Sequence, residues 1–489
     1  SSAVLIDREF YNNLNWIAGS SISGIASDSV SGMSALEVAI QNTGNDSWWG
    51  GTQWTGQQTW LTPIGLNTWS YSFNSTNLTD GVSYTVLFRG TDIAGNTQLE
   101  PASDNFTYDV TAPNTGFVQD GLEQNDQDWT NSTTTLSANW SGFFDATSGI
   151  AVYEYAIGNN PGGVDIWPWD SLGTDTVFTQ TDLVLESGEN YYISIRAIDH
   201  SGNTSATAVS DGITVDAVDP SVTSLFEGST NEDLDYQQNS NQLSIAWSGS
   251  DATTRAITGY LVCLGTSAGD TNIVDWTEVG NTTTYTFEGL SLEEGITYYA
   301  SVQAQDQAGN ASDIVTGDGI TIDQSGPITG QINDGTSEDV DWVNINYLAL
   351  GNWTGFHDSL SGIAEYEYSL GLDTGQTEIV DWTSAGLDTL ISTGNVSLDE
   401  GPTYYANIRA IDSVGNISPV ISSDGFGLDQ SAPVSGTVIN GFEIDQAWTG
   451  STDSLKASWT GFSDQYSGIE FYEYAIDSSA GGQDIVAWT

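Results

Sequence analysis

Short runs of alternating apolar and polar residues, separated by turn residues, follow one another along the whole chain. Within residues 113–219 these runs are TTLSANW (134–140), IAVYEYAIG (150–158), DTVFTQTDLVL (175–185), NYYISIRAID (190–199) and GITVD (212–216). Strand-favouring Val, Ile, Tyr, Trp and Thr dominate the runs, and Gly, Asn and Asp lie between them. No stretch has the 3.6-residue period of an amphipathic helix. The pattern predicts an all-β fold of antiparallel strands.

The pattern repeats at a nearly constant interval along the chain. The stretch RAIDHSGN (196–203) recurs as RGTDIAGN (89–96), QAQDQAGN (303–310) and RAIDSVGN (409–416). A Trp that ends a short alternating strand recurs in a matching register, at Trp140, Trp247, Trp353 and Trp459. Repeats of about 107 residues with about seven short strands predict antiparallel β-sandwiches in tandem.

Prolines 113, 220, 327 and 433 mark the joins, because proline cannot donate to a β-ladder. We expect an elongated array of sandwiches at residues 1–112, 113–219, 220–326 and 327–432, followed by an incomplete fifth at 433–489. Half a sandwich exposes its core face and its strand edges. Either the natural chain continues, or a neighbouring copy completes the fifth sandwich by strand addition, as in a polymerising filament subunit.

One family resemblance rests on the stretch LVLESGENYYISIRA (183–197), which resembles the fibronectin type III signature of a Leu six residues before a Tyr. The pairs are Leu78/Tyr84, Leu185/Tyr191, Leu292/Tyr298 and Leu398/Tyr404. The resemblance implies that the Tyr pins a strand corner and that the recurring Trp fills the core. The first repeat, with ISGIASDSVSGMSALEVAIQ (22–41), resembles bacterial immunoglobulin-like domains of secreted surface proteins. Together these resemblances imply an extracellular or cell-surface protein.

The charge of the chain is strongly negative, with 65 acidic residues against six Lys and Arg and a net charge of −59. Nucleic acid and anionic membranes are therefore excluded as partners, since little in the chain can neutralise phosphates. No apolar run is long enough to span a membrane. The single cysteine, Cys263, allows no internal disulfide. The acidity suits a solubilising surface adapted to salty water, and cation binding is compatible with such a surface.

Acidic side chains from three places are expected to meet at each join between sandwiches. In this fold the loops after the second and sixth strands lie at the pole where the preceding domain arrives, and the preceding domain ends in Asp. The first join would collect Asp109, Asp145 and Asp199, with Asn203 nearby. The third would collect Asp323, Asp358 and Asp412, with Asn416.

The other two joins depart from this pattern. The second would use Asp216, Asp306 and Asn310, but Asp251 comes one place early and Thr-Arg replaces the Ser-Gly of its loop, so we expect a weaker site there or none. The fourth carries Asp429 and Asp464.

Three carboxylates packed together repel one another, and a hard divalent cation removes that conflict. Ca²⁺ accepts six to eight oxygens in flexible geometry, whereas Mg²⁺ suits an all-protein cage less well and soft metals would need Cys or His ligands. The sequence therefore predicts structural Ca²⁺ at the joins. The alternative is that Asp, Gly and Asn only form turns. A second acidic repeat, at NDQDW (125–129), EDLDY (232–236) and EDVDW (338–342), is a weaker cation candidate.

An insertion at residues 47–61 is rich in tryptophan and carries Trp48, Trp49, Trp54 and Trp60. Exposed indoles could stack on the sugar rings of a glycan, or they could cover the edge of the sandwich. Catalytic motifs are absent, and His200 and His357 lie in different repeats, so no enzyme is expected.

The leading hypothesis is an extracellular stalk, adhesin shaft or filament component stiffened by Ca²⁺. Its partners would be a cell-surface or matrix component, glycans included, or further copies of itself. A binding module that uses the Trp insertion is the alternative.

Overall fold

The computed structural model describes residues 2–5, 10–12, 21–228, 232–252, 257–345, 348–394 and 396–489. In these residues the chain forms strands β1 to β38 and one 3₁₀ turn at Ser75–Asn77, with no α-helix. The pairing is antiparallel except for one short parallel pair in each of the first four repeats. The predicted all-β class of tandem sandwiches is confirmed.

The strands of the first repeat form two sheets. One has the order β1-β3-β7, and the other has the order β2-β9-β8-β4-β5-β6. The strands are β1 (Ser2–Leu5), β2 (Phe10–Tyr11), β3 (Ser21–Ala26), β4 (Met33–Asn42), β5 (Ser47–Trp49), β6 (Trp54–Thr55), β7 (Thr68–Ser72), β8 (Val82–Asp92) and β9 (Ala102–Tyr108).

The second repeat has a sheet of order β10-β12-β15 and a sheet of order β11-β18-β16-β13-β14, with β17 also paired to β16. The strands are β10 (Phe117–Asp120), β11 (Trp129–Thr130), β12 (Leu136–Ser141), β13 (Ile150–Gly158), β14 (Trp167–Gly173), β15 (Val177–Gln180), β16 (Asn190–Asp199), β17 (Ala208–Val209) and β18 (Ile213–Val215).

The third repeat keeps this order, as β19-β21-β24 and β20-β27-β25-β22-β23, with β26 on β25. The strands are β19 (Ser221–Glu227), β20 (Tyr236–Gln237), β21 (Gln242–Ser250), β22 (Gly259–Gly265), β23 (Val274–Gly280), β24 (Thr284–Glu288), β25 (Thr297–Gln305), β26 (Val315–Thr316) and β27 (Ile320–Ile322).

The fourth repeat again has the orders β28-β30-β33 and β29-β36-β34-β31-β32, with β35 on β34, and β37 pairs with β38 beyond it. The strands are β28 (Gln331–Asp334), β29 (Trp342–Val343), β30 (Leu348–Thr354), β31 (Ile363–Gly371), β32 (Val380–Gly386), β33 (Leu390–Gly394), β34 (Thr403–Asp412), β35 (Ile421–Ser422), β36 (Phe426–Leu428), β37 (Thr437–Asn440) and β38 (Ala457–Thr460).

The recurring Trp and Tyr occupy the places that the family resemblance implies. Trp140, Trp247 and Trp353 are buried in their sandwiches, whereas Trp459 is 40% exposed. Each corner Tyr accepts a hydrogen bond from the backbone N–H directly after its paired Leu. The N–H donors to Tyr84, Tyr191, Tyr298 and Tyr404 are those of Thr79, Glu186, Glu293 and Asp399, at 2.7–2.9 Å.

One predicted strand is wrong in its second half. The run 175–185 forms β15 only as far as Gln180. Asp182 then adopts φ +60°, the left-handed region that breaks a β-ladder. Leu183 and Leu185 beyond it are nevertheless buried, and their backbone N–H groups donate to the carbonyl oxygens of Thr134 and Thr133, outside any strand.

The chain divides into two compact units. The first comprises Ser1–Ser221, Ser250–Gly259 and Ala304–Ser312, and the second comprises Val222–Gly249, Tyr260–Gln303 and Asp313–Thr489. The first unit therefore contains the first two joins, and the second contains the third and fourth. The described part of the chain has no helix that is long and apolar enough to cross a membrane.

Candidate metal sites

The loop after β16 holds both carboxylate oxygens of one aspartate. The strand ends at Asp199, and Asn203 donates its backbone N–H to Asp199 Oδ1 and its Nδ2 to Oδ2, each at 2.8 Å. The turn requires a left-handed residue, and Gly202 supplies it at φ +90°. Asp306 with Asn310 and Asp412 with Asn416 repeat the arrangement. The recurring Asp, Gly and Asn therefore orient a carboxylate.

The loop between β12 and β13 places a second carboxylate through one of its two oxygens. Asp145 Oδ1 accepts hydrogen bonds from the backbone N–H groups of Thr147, Ser148 and Gly149, at 2.8–3.0 Å. Asp358 Oδ1 accepts in the same way from Leu360 at 3.0 Å and Gly362 at 2.8 Å. This is an Asx-type turn, which the local sequence is able to form by itself.

The third carboxylate lies where the last strand of one sandwich leads into the next. Asp109 is fully buried, and its Oδ1 accepts from the backbone N–H of Thr111 at 3.1 Å. Its Oδ2 is buried and has no hydrogen-bond partner. Burial raises the pKa of Asp109, and the charges of Asp145 and Asp199 raise it further. The Ser148 side chain, in the Asp145 loop, lowers the pKa of Asp109 in part, but the net shift is upward.

Three carboxylates converge at each of the first three joins, with one oxygen from each residue lying within 4.8 Å of the others. Two oxygens that bind one Ca²⁺ at 2.3–2.6 Å lie no more than about 5 Å apart, so the spacing suits a shared ion. We call these sets the junction clusters. They are Asp109–Asp145–Asp199, Asp216–Asp251–Asp306 and Asp323–Asp358–Asp412.

The second junction cluster includes Asp251 although its position is one place early. β21 continues to Ser250, so Asp251 follows the strand directly and its carboxylate still comes within 4.8 Å of Asp216 and Asp306. The neighbouring residues 253–256, which include the Thr-Arg replacement, lie outside the described part of the chain.

The fourth join brings two predicted residues together. Asp429 Oδ2 accepts from the backbone N–H of Ser467 at 3.1 Å, and Asp464 Oδ1 accepts from those of Tyr466 and Gly468, at 3.0 and 3.2 Å. A hydrogen bond from the Ser467 side chain is the largest cause of a lowered pKa at Asp429.

The asparagines use their amide nitrogens to connect consecutive repeats. Nδ2 of Asn203, Asn310 and Asn416 donates to the backbone carbonyl oxygens of Asp109, Asp216 and Asp323, at 3.0, 2.8 and 3.1 Å respectively. Each amide therefore bridges a loop carboxylate and the end of the preceding sandwich. The amides thereby hold each loop against the preceding sandwich, and Asn416 Oδ1 also accepts a hydrogen bond from Gln238 Nε2.

In the described part of the chain, three arginines are engaged away from the junction clusters. The ion pairs found in the described residues are Arg89–Glu37, Arg196–Glu154 and Arg409–Glu367, all between neighbouring strands. The same three guanidinium groups lie over the rings of Trp60, Trp169 and Trp382, at 3.9–4.3 Å from the ring centroids.

The Trp insertion packs largely against its own sandwich. Trp49 is 5% exposed, contacts Trp54 and Phe73 edge to face, and donates its Nε1 to Tyr71 Oη at 3.2 Å. Trp54 and Trp60 are half-buried, Trp54 beside Tyr84 and Trp60 beneath Arg89. Trp48 is half-buried on β5. These contacts favour the interpretation that the insertion covers the sandwich edge.

Sequence reasoning missed a second set of converging acids. Asp120 and Asp211 join Asp126, and Glu227 and Asp318 join Asp233, again with one oxygen of each residue within 4.8 Å of the others. A spacing signal was available, since the interval from Asp120 to Glu227 equals the interval from Asp211 to Asp318 and matches the repeat period. Their partners Asp126 and Asp233 lie in the second acidic repeat.

Comparison with known proteins agrees with the sandwich architecture. Residues 181–317 match the profile of the bacterial Ig-like domain (group 3). Exoglucanase B of Cellulomonas fimi is 25% identical over 395 residues, which are 78% of this chain and 31% of that protein. The chain thus spans less than a third of this relative's length.

Two solved structures are similar to the repeat array. One is a tetra-tandem repeat from the extending region of a large adhesion protein, with 18% identity, 88% of this chain and all of that chain covered, and a TM-score of 0.32. The other is a Ca²⁺-stabilized adhesin that helps an Antarctic bacterium reach out and bind ice, with 16% identity, 88% and 98% coverage, and a TM-score of 0.34.

Proposed function

We propose that this chain is a structural segment of an extracellular or cell-surface protein, a stalk, adhesin shaft or filament component, whose joins are stiffened by Ca²⁺. The observation that carries the proposal is the buried Oδ2 of Asp109, which accepts no hydrogen bond from the described residues and belongs to a cluster with Asp145 and Asp199. A buried carboxylate oxygen without a partner is costly unless something neutralises it.

A divalent cation suits the junction clusters better than a proton does. One proton would leave two charges in contact, whereas Ca²⁺ neutralises two and binds the third carboxylate as a further oxygen ligand. Extracellular Ca²⁺ modules have dissociation constants of about 10⁻⁴–10⁻³ M, so a modest site would be filled outside a cell.

The stiffening follows from which elements supply the ligands. Asp109 lies just after the last strand of the first sandwich, and Asp145 and Asp199 belong to loops of the second. An ion bound by all three would join the two sandwiches, whose interfaces in this type of protein otherwise permit hinge motion. In this role the chain needs no catalytic residues.

A second candidate function is that of a spacer in a larger polysaccharide-degrading enzyme. The similarity to exoglucanase B over 395 residues favours it. In that case the repeats would separate a catalytic domain from other modules, and the junction clusters would set that separation. Sedimentation of the chain with microcrystalline cellulose, compared with an insoluble polymer that is not a glycan, tests for direct substrate contact.

The deciding experiment is small-angle scattering together with a thermal melt, in millimolar Ca²⁺, in Mg²⁺ and in EDTA. We expect a larger maximum dimension and a higher Tm in Ca²⁺ that Mg²⁺ does not reproduce. The variant Asp109→Asn/Asp145→Asn/Asp199→Asn should lose part of both responses. Asp170→Asn, an exposed aspartate in the same sandwich, is the matched control. Identical curves in Ca²⁺ and EDTA would refute the proposal.

A further inference from the structure

One acidic residue in each of the second, third and fourth sandwiches is buried at the end of the first strand. Asp120, Glu227 and Asp334 are the last residues of β10, β19 and β28, they recur at the repeat period, and each is 0% exposed. Carboxylates are almost never fully buried without a partner. These residues belong to the body of a sandwich and not to a join.

Two exposed acids flank each buried one. The loop after the strand supplies the first, because the backbone N–H of Asp120 donates to Asp126 Oδ1 at 2.6 Å. The loop before the last strand supplies the second, Asp211, and the N–H of Gly212 next to it donates to Asp120 Oδ2 at 3.2 Å. We call these sets the inner clusters. They are Asp120–Asp126–Asp211, Glu227–Asp233–Asp318 and Asp334–Asp339–Asp424.

The other two inner clusters are built in the same way. The backbone N–H of Glu227 donates to Asp233 Oδ1 at 2.9 Å, and that of Asp334 donates to Asp339 Oδ1 at 3.1 Å. In the fourth sandwich the N–H of Gly425 donates to Asp334 Oδ2 at 3.0 Å, next to Asp424.

Among the described residues, the buried acids retain oxygens that accept no hydrogen bond. These are Asp120 Oδ1, Asp334 Oδ1 and both carboxylate oxygens of Glu227. Within the described residues the three Arg–Glu ion pairs lie on other strands, so no ion pair compensates these charges. An unpaired, desolvated carboxylate beside two further carboxylates requires a proton or a metal ion.

Two compensating residue differences keep the buried carboxylate in the same place in all three sandwiches. Ser210 and Ser423 lie beside Asp120 and Asp334, whereas the third sandwich has Gly317 beside the longer Glu227. A Cβ atom on Gly317 would lie 1.8 Å from Glu227 Oε1. The longer acid therefore occupies the space that the missing Ser side chain leaves, and its carboxylate stays in the cluster with Asp233 and Asp318.

We propose that each inner cluster is a Ca²⁺ site within a single sandwich, separate from the junction clusters. The buried acid forms the floor of the site, and the two exposed acids form its mouth, through which the ion enters from solvent. All three residues of a site come from one repeat, so the ion would fasten the first strand and its following loop to the loop before the last strand. Carboxylate oxygens alone, without Cys or His, select a hard cation.

The test counts ions bound by the whole chain, using equilibrium dialysis against Ca²⁺ followed by atomic emission. The inner variant is Asp120→Asn/Glu227→Gln/Asp334→Asn. The matched control, Asp170→Asn/Asp275→Asn/Asp381→Asn, removes three exposed charges from the same three sandwiches. We expect the inner variant to bind three fewer ions than the control. Equal numbers of bound ions in the two variants would overturn the proposal.

A second variant guards against a folding defect at the buried positions. Asp211→Asn/Asp318→Asn/Asp424→Asn changes only exposed side chains at the mouths of the sites, and it should also lose the three ions or bind them at least tenfold more weakly. If this variant binds as the control does, the inner sites are refuted whatever the buried variant shows.

A junction variant separates this inference from the proposed function. Asp199→Asn/Asp306→Asn/Asp412→Asn leaves every inner residue unchanged. Loss of ions in the junction variant alone would refute the inner sites and leave the stiffened joins intact. Loss in the inner variants alone would support the inner sites and refute the ion at the joins.

Discussion

Asn203 Nδ2 donates a hydrogen bond to the backbone carbonyl oxygen of Asp109, 94 residues earlier in the chain, at 3.0 Å. The same nitrogen donates to Asp199 Oδ2 at 2.8 Å. One amide therefore connects the end of the first sandwich to a loop of the second. The equivalent amides of Asn310 and Asn416 do the same at the next two joins.

Replacing this amide should loosen the first join even in EDTA. Asn203→Ala removes hydrogen bonds to a buried carboxylate and to the linker, so we expect a loss on the order of 1–3 kcal/mol in the stability of that region. Limited proteolysis near residues 109–113 should become faster. Asn159→Ala, at an exposed asparagine of the same sandwich, is the control. Equal cleavage rates for the two variants would contradict the role assigned to Asn203.

Substituting Gly317 or the buried Glu227 alone should lower the stability of the third sandwich, whereas substituting both together should be tolerated. Gly317→Ser alone forces its Cβ against Glu227 Oε1, and overpacking of this kind costs about 1–3 kcal/mol. Adding Glu227→Asp recreates the pairs Ser210/Asp120 and Ser423/Asp334 of the neighbouring sandwiches. Urea denaturation of the two single variants and the double variant measures the coupling. Purely additive losses would show that the two positions do not share space.

Stability without Ca²⁺ should fall as the pH rises. Burial raises the pKa of Asp120 and Glu227 to about 7 and that of Asp334 to about 6, above the values of 3.8 and 4.5 for exposed Asp and Glu. Between the unfolded and folded pKa values the folded chain binds more protons than the unfolded chain. The three protonated acids therefore contribute to the stability of the fold, and this contribution is fully present below pH 4.

The stability contributed by these three acids is then lost by about pH 7, at about 1.4 kcal/mol per pH unit for each group. Melts in EDTA from pH 4 to pH 8 measure the effect. Saturating Ca²⁺ should reduce the fall, because the ion stabilises the ionised form. The variant Asp120→Asn should remove the contribution of the second sandwich. A Tm in EDTA that is flat or rises across this range would contradict the expected pKa values.

The tryptophans of the insertion should differ in their effect on stability. Trp49→Ala removes a buried ring and its hydrogen bond to Tyr71, which we expect to cost about 3–5 kcal/mol in the first sandwich. Trp48→Ala removes a half-buried ring and should cost less. Denaturant unfolding followed by tryptophan fluorescence compares the two. If Trp48→Ala instead weakened retention on an immobilised glycan while stability stayed unchanged, the glycan-binding alternative would gain support.

The repeat register and the strand positions could be read from the chain itself. The run 150–158 coincides with β13 and the run 190–199 with β16, because alternation and turn residues are local properties. The tyrosine corners followed from a six-residue spacing. The proximity of Asp109, Asp145 and Asp199 was also predicted, because sandwich topology dictates which loops are neighbours.

Other features depended on packing that no local pattern encodes. Leu183 and Leu185 alternate like strand residues yet lie beyond the end of β15, because Asp182 turns the chain out of the ladder. Asp251 joins its cluster in spite of its shifted position, since β21 is longer than the equivalent strand of the second sandwich. The Trp insertion also packs on its own sandwich.

The sequence by itself determined the all-β class, the nearly constant repeat period and the recurring acidic loops, because these follow from residue order and composition. Only the tertiary structure decided that Asp109 Oδ2 is buried without a partner, and that Asp120 forms a second cluster with Asp126 and Asp211. Whether a carboxylate is buried depends on which distant segments pack over it. The local sequence around an aspartate at a strand end does not show whether water or protein covers its side chain.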